Sequence, residues 1–124
     1  EEEKADEDSK IGDAFTIAEF VMGVNETTEA DLPETVLAWD LVRAVNMARW
    51  AFICGYINED EMWEAIRTTA GIAKESFNSW EEYGNSFAVG RGIWRGETDD
   101  YETADEVVGA LLNKEDSPWK AIEW

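Results

Sequence analysis

Histidine is absent from this chain of 124 residues, and cysteine occurs once. Without histidine, the Ser-His-Asp and Cys-His forms of catalysis, the usual zinc sites and the HExxH hydrolases are excluded. Cys54 has no partner for an intramolecular disulfide, and its apolar sequence neighbours predict a small core residue. The remaining residues show no nucleophile and base at a recognisable spacing. We therefore expect a protein that is not an enzyme and that needs no metal and no cofactor.

Basic residues are also scarce, because 10 Lys and Arg stand against 29 Asp and Glu, for a formal net charge of -19. Nucleic acid is a poor partner for such a chain, since phosphate binding requires a basic surface. Long-range attraction instead favours a basic protein as the partner. Self-association is left open by the composition.

No stretch is apolar enough to predict a membrane span. The longest apolar run, residues 36–54, contains two Arg, one Asp and one Asn, which together cost several kcal/mol in hydrocarbon. The first ten residues, EEEKADEDSK, are opposite in charge to the basic start of a signal peptide. We expect a cytoplasmic protein with no membrane contact.

Apolar residues are plentiful, at 44% with seven Trp, and they recur at helical spacing. No alternation long enough for a sheet is present, so we predict an all-α, single-domain bundle of five to six helices over residues 11–124. Six acids and no apolar periodicity predict a flexible acidic leader over residues 1–10. The predicted helices span residues 12–24, 36–54, about 59–77, 80–95 and about 101–112, followed by a short turn that begins at Ser117 and Pro118. Asn58 with Glu61, and Ser79 with Glu82, predict capping boxes at two of the helix starts, and Asp13 could cap the first helix. At the end of the chain, Trp119, Ile122 and Trp124 are expected to pack back on the bundle.

The helix predicted over residues 36–54 is apolar almost all the way round, which is typical of a helix buried at the centre of a bundle. Spacings of three residues allow Asp40 to pair with Arg43, and Asn46 with Arg49. Arg91 and Arg95, on the helix over residues 80–95, could reach Asp40, or Glu81 and Glu82. Three interpretations remain open: a structural polar network, a pocket for an anionic small molecule, or no organised network. The residues concerned are Asp40, Arg43, Asn46 and Arg91.

Dense acidic segments are the candidate partner-binding residues. Neighbouring acids point to different faces of a helix, and the D-x-D-x-D-G pattern of an EF-hand is missing, so adjacency alone predicts no metal site. The segment DDYETADE is the first candidate, with Asp99, Asp100, Glu102, Asp105 and Glu106. The second candidate is the start of the helix predicted over about residues 59–77, with Glu59, Asp60, Glu61 and Glu64.

Three motifs occur in a fixed order: W-D-x-x-R-x-x-N from Trp39, S-W-x-x-x-G from Ser79, and G-R-x-x-W from Gly90. With the stretches EMWEAI and SPWKAIEW, they resemble the bacterial domain of unknown function family 1266 (YbeU/YbeR-like) over residues 36–124. Residues 1–33 have no counterpart in that resemblance. It implies a compact helical domain of the bacterial cytosol, and it implies no activity.

Three functional hypotheses follow. In the first, an acidic face covers a basic partner, most concretely as an immunity protein that neutralises a bacterial toxin or effector. In the second, an accessory or regulatory module meets another helix through the glycine-rich face of residues 84–92. In the third, a small enzyme or sensor uses Arg43, Asn46 and Arg91.

Overall fold

The structure, a computed structural model, describes residues 2–25 and 32–124, with side chains for residues 9–23 and 32–124. These residues form six helices and no strand, which confirms the predicted all-α bundle. Within the described ranges, no helix combines the length and apolarity that a membrane crossing requires. The helices are α1 (Glu2–Asn25), α2 (Leu37–Ile53), α3 (Glu59–Ser76), α4 (Trp80–Arg95), α5 (Thr98–Asn113) and α6 (Pro118–Ala121).

Helices α3 and α4 both begin with the side-chain caps that the sequence predicted. The Asn58 side chain accepts a hydrogen bond from the Glu61 amide at 2.9 Å, and the Glu61 carboxylate accepts one from the Asn58 amide at 3.2 Å. At the start of α4, the Ser79 hydroxyl accepts from the Glu82 amide at 3.1 Å. Each cap satisfies amides that have no partner inside the helix. The observed bounds of α4 are those predicted.

Helix α1 starts at Glu2 and runs through the boundary that the sequence placed between residues 10 and 11. Glu, Lys and Ala are good helix formers, so this segment needs no apolar face to extend a helix already anchored downstream. Lys10, the last residue of the predicted leader, donates a hydrogen bond from Nζ to the Trp94 carbonyl at 2.9 Å. Asp13, predicted as a cap, lies inside the helix, 3.4 Å from the Lys10 ammonium.

The helix at the centre of the bundle is α4, which packs against α1, α2 and α5. Its glycines make this possible, since a Cβ on Gly90 would lie 2.5 Å from Trp39 Cβ and one on Gly84 would lie 2.6 Å from Val108 Cγ1. The glycine-rich face is thus covered by helices of the same chain. The prediction that this face binds a partner was therefore wrong.

Helix α2 lies at the side of the bundle, and the prediction that it is the buried centre was wrong. Its buried residues are Ala38, Leu41 and Ala48. Two of these three are alanines, which let α2 pack closely, whereas the large apolar side chains of Met47, Trp50 and Ile53 are exposed. Cys54 is exposed as well, which contradicts its predicted core position. A high apolar content did not reveal which face has neighbours.

One buried hydroxyl joins α2 to α4. Ser86 Oγ accepts a hydrogen bond from the Ala38 amide at 3.2 Å and donates one to the Thr35 carbonyl at 2.7 Å. The residue before α2, Val36, provides no side-chain cap. Ser86 therefore supplies, from another helix, a partner for the start of α2.

The carboxyl-terminal residues pack on the bundle through an aromatic cluster, as predicted for Trp119 and Trp124. Trp80 stacks on Trp119 with ring centroids 4.9 Å apart, and Trp124 meets the Trp80 ring edge to face, also at 4.9 Å. Trp124 Nε1 donates to the Phe77 carbonyl at 2.9 Å. The third residue of that prediction, Ile122, has an exposed side chain.

Candidate functional site

The predicted polar cluster is only partly assembled in the structure. Asp40 is exposed, and within residues 32–124 neither it nor Arg43 forms an ion pair. The Arg43 guanidinium lies instead over the Trp94 ring, with its Cζ 4.5 Å from the ring centroid. The same Cζ is 5.7 Å from the centroid of Trp39. The predicted pairing of Asp40 with Arg43 was wrong, because two aromatic rings take up the guanidinium.

Arg91 approaches the same indole, with its Cζ 5.8 Å from the Trp39 centroid. Its carboxylate partner is Asp100, at 3.4 Å, and not Asp40. Arg95 Nε also donates to Asp100 at 3.4 Å. Arg43 and Arg91 are therefore brought together, as predicted, but around an aromatic ring rather than with Asp40 and Asn46.

Lys10 completes what we call the basic-aromatic cluster, since its Nζ is 5.9 Å from the Trp94 ring centroid. The indole Nε1 of Trp39 is buried and has no hydrogen-bond partner among the described residues. Neither Trp39 nor Trp94 was among the predicted residues of the polar cluster. The available signal was spacing, because Trp39 and Arg43 are four apart on one helix, and Arg91 and Trp94 are three apart on another. The cluster comprises Lys10, Trp39, Arg43, Arg91, Trp94 and Arg95.

Three of the five acids predicted on α5 form one exposed face. Asp99, Glu102 and Glu106 are exposed and recur at helical spacing, so their carboxylates project on the same side. None of them forms an ion pair with the Lys and Arg side chains that the structure describes. Val107, beside Glu106, is 52% exposed. We call Asp99, Glu102 and Glu106 the acidic α5 face, and Val107 lies at its edge.

The other two predicted acids of α5 have different surroundings. The Asp100 side chain is 18% exposed and is held between Arg91 and Arg95. Asp105 is half-buried, and this burial, followed by the charge of Glu106, raises the pKa of the Asp105 carboxyl. Both acids therefore belong to the body of the bundle more than to the acidic α5 face.

The four acids predicted on α3 are all exposed, but two of them serve their own helix. Glu61 is half of the capping box. Glu59 Oε1 accepts a hydrogen bond from Trp63 Nε1 at 3.4 Å. Asp60 and Glu64 are left facing solvent, four residues apart. This surface is a weaker candidate than the acidic α5 face.

A cleft of about 260 Å³, which the sequence did not predict, lies between the segment before α2 and the α3–α4 junction. Its residues come from separate parts of the chain, so no local motif marks it. Glu82 accepts hydrogen bonds from the backbone and side chain of Asn78, at 2.9 and 3.3 Å. Carboxylates, amides, hydroxyls and an apolar floor line the cleft, with no basic side chain: Glu34, Thr35, Phe77, Asn78, Glu82 and Asn85 are among the lining residues.

The family described as "Protein of unknown function (DUF1266)" matches residues 1–124. The chain belongs to the DUF1266 family. The DUF1266 match extends the predicted resemblance, which began at residue 36, to the whole chain, in agreement with the packing of α1 against α4. A search of curated proteins and a search of solved structures each returned no match.

In this DUF1266 chain, two of the sequence motifs meet at the basic-aromatic cluster. W-D-x-x-R-x-x-N contributes Trp39 and Arg43, while G-R-x-x-W contributes Arg91 and Trp94. The glycine of the second of these motifs, Gly90, faces Trp39, and a Cβ at Gly90 would lie 2.5 Å from Trp39 Cβ. Across residues 9–23 and 32–124, no three Asp, Glu or Cys side chains are grouped as metal ligands.

Proposed function

We propose that this DUF1266 protein is a non-enzymatic binding protein whose acidic α5 face covers a basic surface of another protein. The observation that carries the proposal is the alignment of Asp99, Glu102 and Glu106 on one exposed face without a described cationic partner. Carboxylates already held by cations of the same chain would contribute less to a complex, as is the case for Asp100. The net charge of -19 adds long-range attraction for a basic partner.

The partner class that suits this face is a bacterial toxin or effector with a cationic active site, such as a nuclease, and the protein would act as its immunity protein. Exposed carboxylates along a helix can occupy a site that normally receives phosphate groups. Val107 supports the proposal, since a complex needs some apolar contact inside its charged rim. The three carboxylates of the acidic α5 face then raise the association rate and make the association specific.

The test is a calorimetric titration of the protein against candidate toxins from the same locus, at low and high salt. Reversal of Asp99, Glu102 and Glu106 to Lys is expected to weaken the complex at least about 30-fold, because attraction becomes repulsion at the contact. The matched control reverses Asp60, Glu64 and Glu75 on α3, which are exposed and produce the same change in net charge.

We expect the α3 control to weaken the complex less than about fivefold, since distant charges are screened at physiological ionic strength. Equal weakening by both sets of reversals would contradict a contact that is specific to the acidic α5 face, because either net charge or the acids of α3 would then account for it. Absence of any salt-sensitive complex would contradict the proposal as a whole.

A further inference from the structure

Positive charge is concentrated at one place on this acidic protein. Lys10, Arg43, Arg91 and Arg95 are four of its 10 basic residues, and contacts with Trp39, Trp94 and Asp100 join them into one cluster. The carboxylates that pair with them in the described structure are Asp13 and Asp100. The four basic side chains of the cluster thus outnumber the two carboxylates that form ion pairs with them in the described structure.

The surface continues along α2 as an exposed apolar stripe. Arg43, Met47 and Trp50 recur at intervals of four and three residues, which places them on one face. Met47 is 62% exposed, Trp50 is 61% exposed and Trp94, beneath the Arg43 guanidinium, is 52% exposed. Residues 41–57 contain two Arg and no acid. Exposed Trp, Met and Arg side chains are typical of residues that anchor protein interfaces.

Two hydrogen-bond donors in this surface have no acceptor among the described residues. The half-buried Arg43 guanidinium has neither a carboxylate nor a hydrogen bond, and the buried Trp39 Nε1 beside it has no partner. Arg91, which lies over the same indole, has one ion pair among the described residues, with Asp100 at 3.4 Å. Planar guanidinium groups bind carboxylates in a bidentate geometry. Among the described residues, Arg43 thus has no acidic oxygen as a partner.

We propose that the face formed by Arg43, Met47, Trp50, Arg91 and Trp94 docks an acidic, amphipathic segment of a partner protein. Carboxylates of the segment bind Arg43 and Arg91, and its apolar side chains pack on Met47 and Trp50. A peptide segment fits better than nucleic acid or an anionic membrane, because its few carboxylates match a local positive charge. A uniform polyanion would be repelled by the rest of the surface. This docking face shares no residue with the acidic α5 face.

The experiment uses an 18-residue synthetic helical peptide with Leu on one face and Glu on its flanks, titrated against the whole protein by calorimetry. We expect saturable binding that Arg43→Gln weakens about tenfold. The matched control is Arg67→Gln, since Arg67 is exposed on α3, and it should change the affinity less than about twofold. Met47→Ser should also weaken binding. Because Met47 is exposed, this variant is expected to fold, and it tests the same face even if the Arg43 variant misfolds.

Three outcomes would overturn the proposal: no saturable binding, equal affinities for the Arg43 and Arg67 variants, or displacement of the peptide by an equal concentration of free glutamate. Co-sedimentation of the protein with phosphatidylserine vesicles, lost in Arg43→Gln, would assign the face to a membrane instead. Reversal of the charges of Asp99, Glu102 and Glu106 should not weaken the binding of the Glu-containing peptide. Failure here is therefore distinguishable from failure of the proposed function.

Discussion

The close approach of α2 and α4 at Gly90 gives a quantitative prediction for Gly90→Ala. The new Cβ would lie 2.5 Å from Trp39 Cβ and 3.2 Å from both Val36 Cβ and the Val36 carbonyl oxygen. Carbon atoms in ordinary contact are about 3.5 to 4.0 Å apart, so the two helices must separate by about 1 Å. Because these atoms are on or next to the backbone, a change of rotamer cannot relieve the clash.

The expected free-energy change combines two opposing effects. Overpacking of this kind costs about 3 kcal/mol, at the upper end of the usual range, since backbone must move. Replacing Gly by Ala inside a helix returns about 1 kcal/mol of helix propensity. We therefore expect Gly90→Ala to lower the free energy of unfolding by about 2 kcal/mol and the Tm by about 8 °C.

Urea unfolding followed by tryptophan fluorescence, together with thermal unfolding followed by circular dichroism, measures both quantities. The matched control is Gly71→Ala on α3, where a Cβ would have nothing within 4 Å. It should raise the stability by about 1 kcal/mol, because only the helix propensity changes. The account of α4 as the tightly packed centre would be refuted if Gly90→Ala were as stable as Gly71→Ala.

Three further substitutions test other parts of the structure. Ser86→Ala leaves the Ala38 amide and the Thr35 carbonyl without their partner, so urea unfolding should show a loss of about 2 kcal/mol. Asn58→Ala removes the capping box of α3 and should cost about 1 kcal/mol in the same assay, with no loss for an exposed change such as Thr68→Ala. The pKa of the Asp105 carboxyl is raised above its ordinary value of 3.8, so the folded state binds this proton more tightly than the unfolded state. Ionisation of Asp105 therefore destabilises the fold as pH rises from 3.8 through the raised pKa. Asp105→Asn should therefore raise the Tm at pH 7, with a gain that shrinks as pH falls toward 3.8; a gain that is independent of pH would contradict this.

Features that depend on local sequence were predictable. The caps at Asn58 and Ser79 and the bounds of α4 follow from residues within one helical turn, where side chain and backbone meet without help from the rest of the fold. The all-α class follows from apolar spacing. The extent of α1 was not predictable in this way, because an absent apolar stripe does not prevent a helix from continuing beyond its anchored part.

Features that depend on packing were not predictable from the same patterns. Apolar content made α2 look central, whereas the closeness of approach is set by Gly84, Gly90 and the residues opposite them. The partner of Arg43 is Trp94, which is 51 positions away, and no spacing rule links them. The acidic segment that contains the acidic α5 face could be found from sequence. That Asp100 does not belong to this face could not, because it depends on the ion pairs of Asp100 with Arg91 and Arg95.

The association rate constant with a cognate toxin, measured by stopped flow over a range of salt concentrations, tests the central claim most directly. If the acidic α5 face steers a basic partner, this rate should fall steeply as salt rises, by at least about tenfold between 20 and 500 mM. In the variant with Asp99→Asn, Glu102→Gln and Glu106→Gln, the rate constant should be lower and should depend less steeply on salt, because only the attraction from the remaining net charge is left. A rate constant that is insensitive to salt, or one that the three neutral substitutions leave unchanged, would contradict the account.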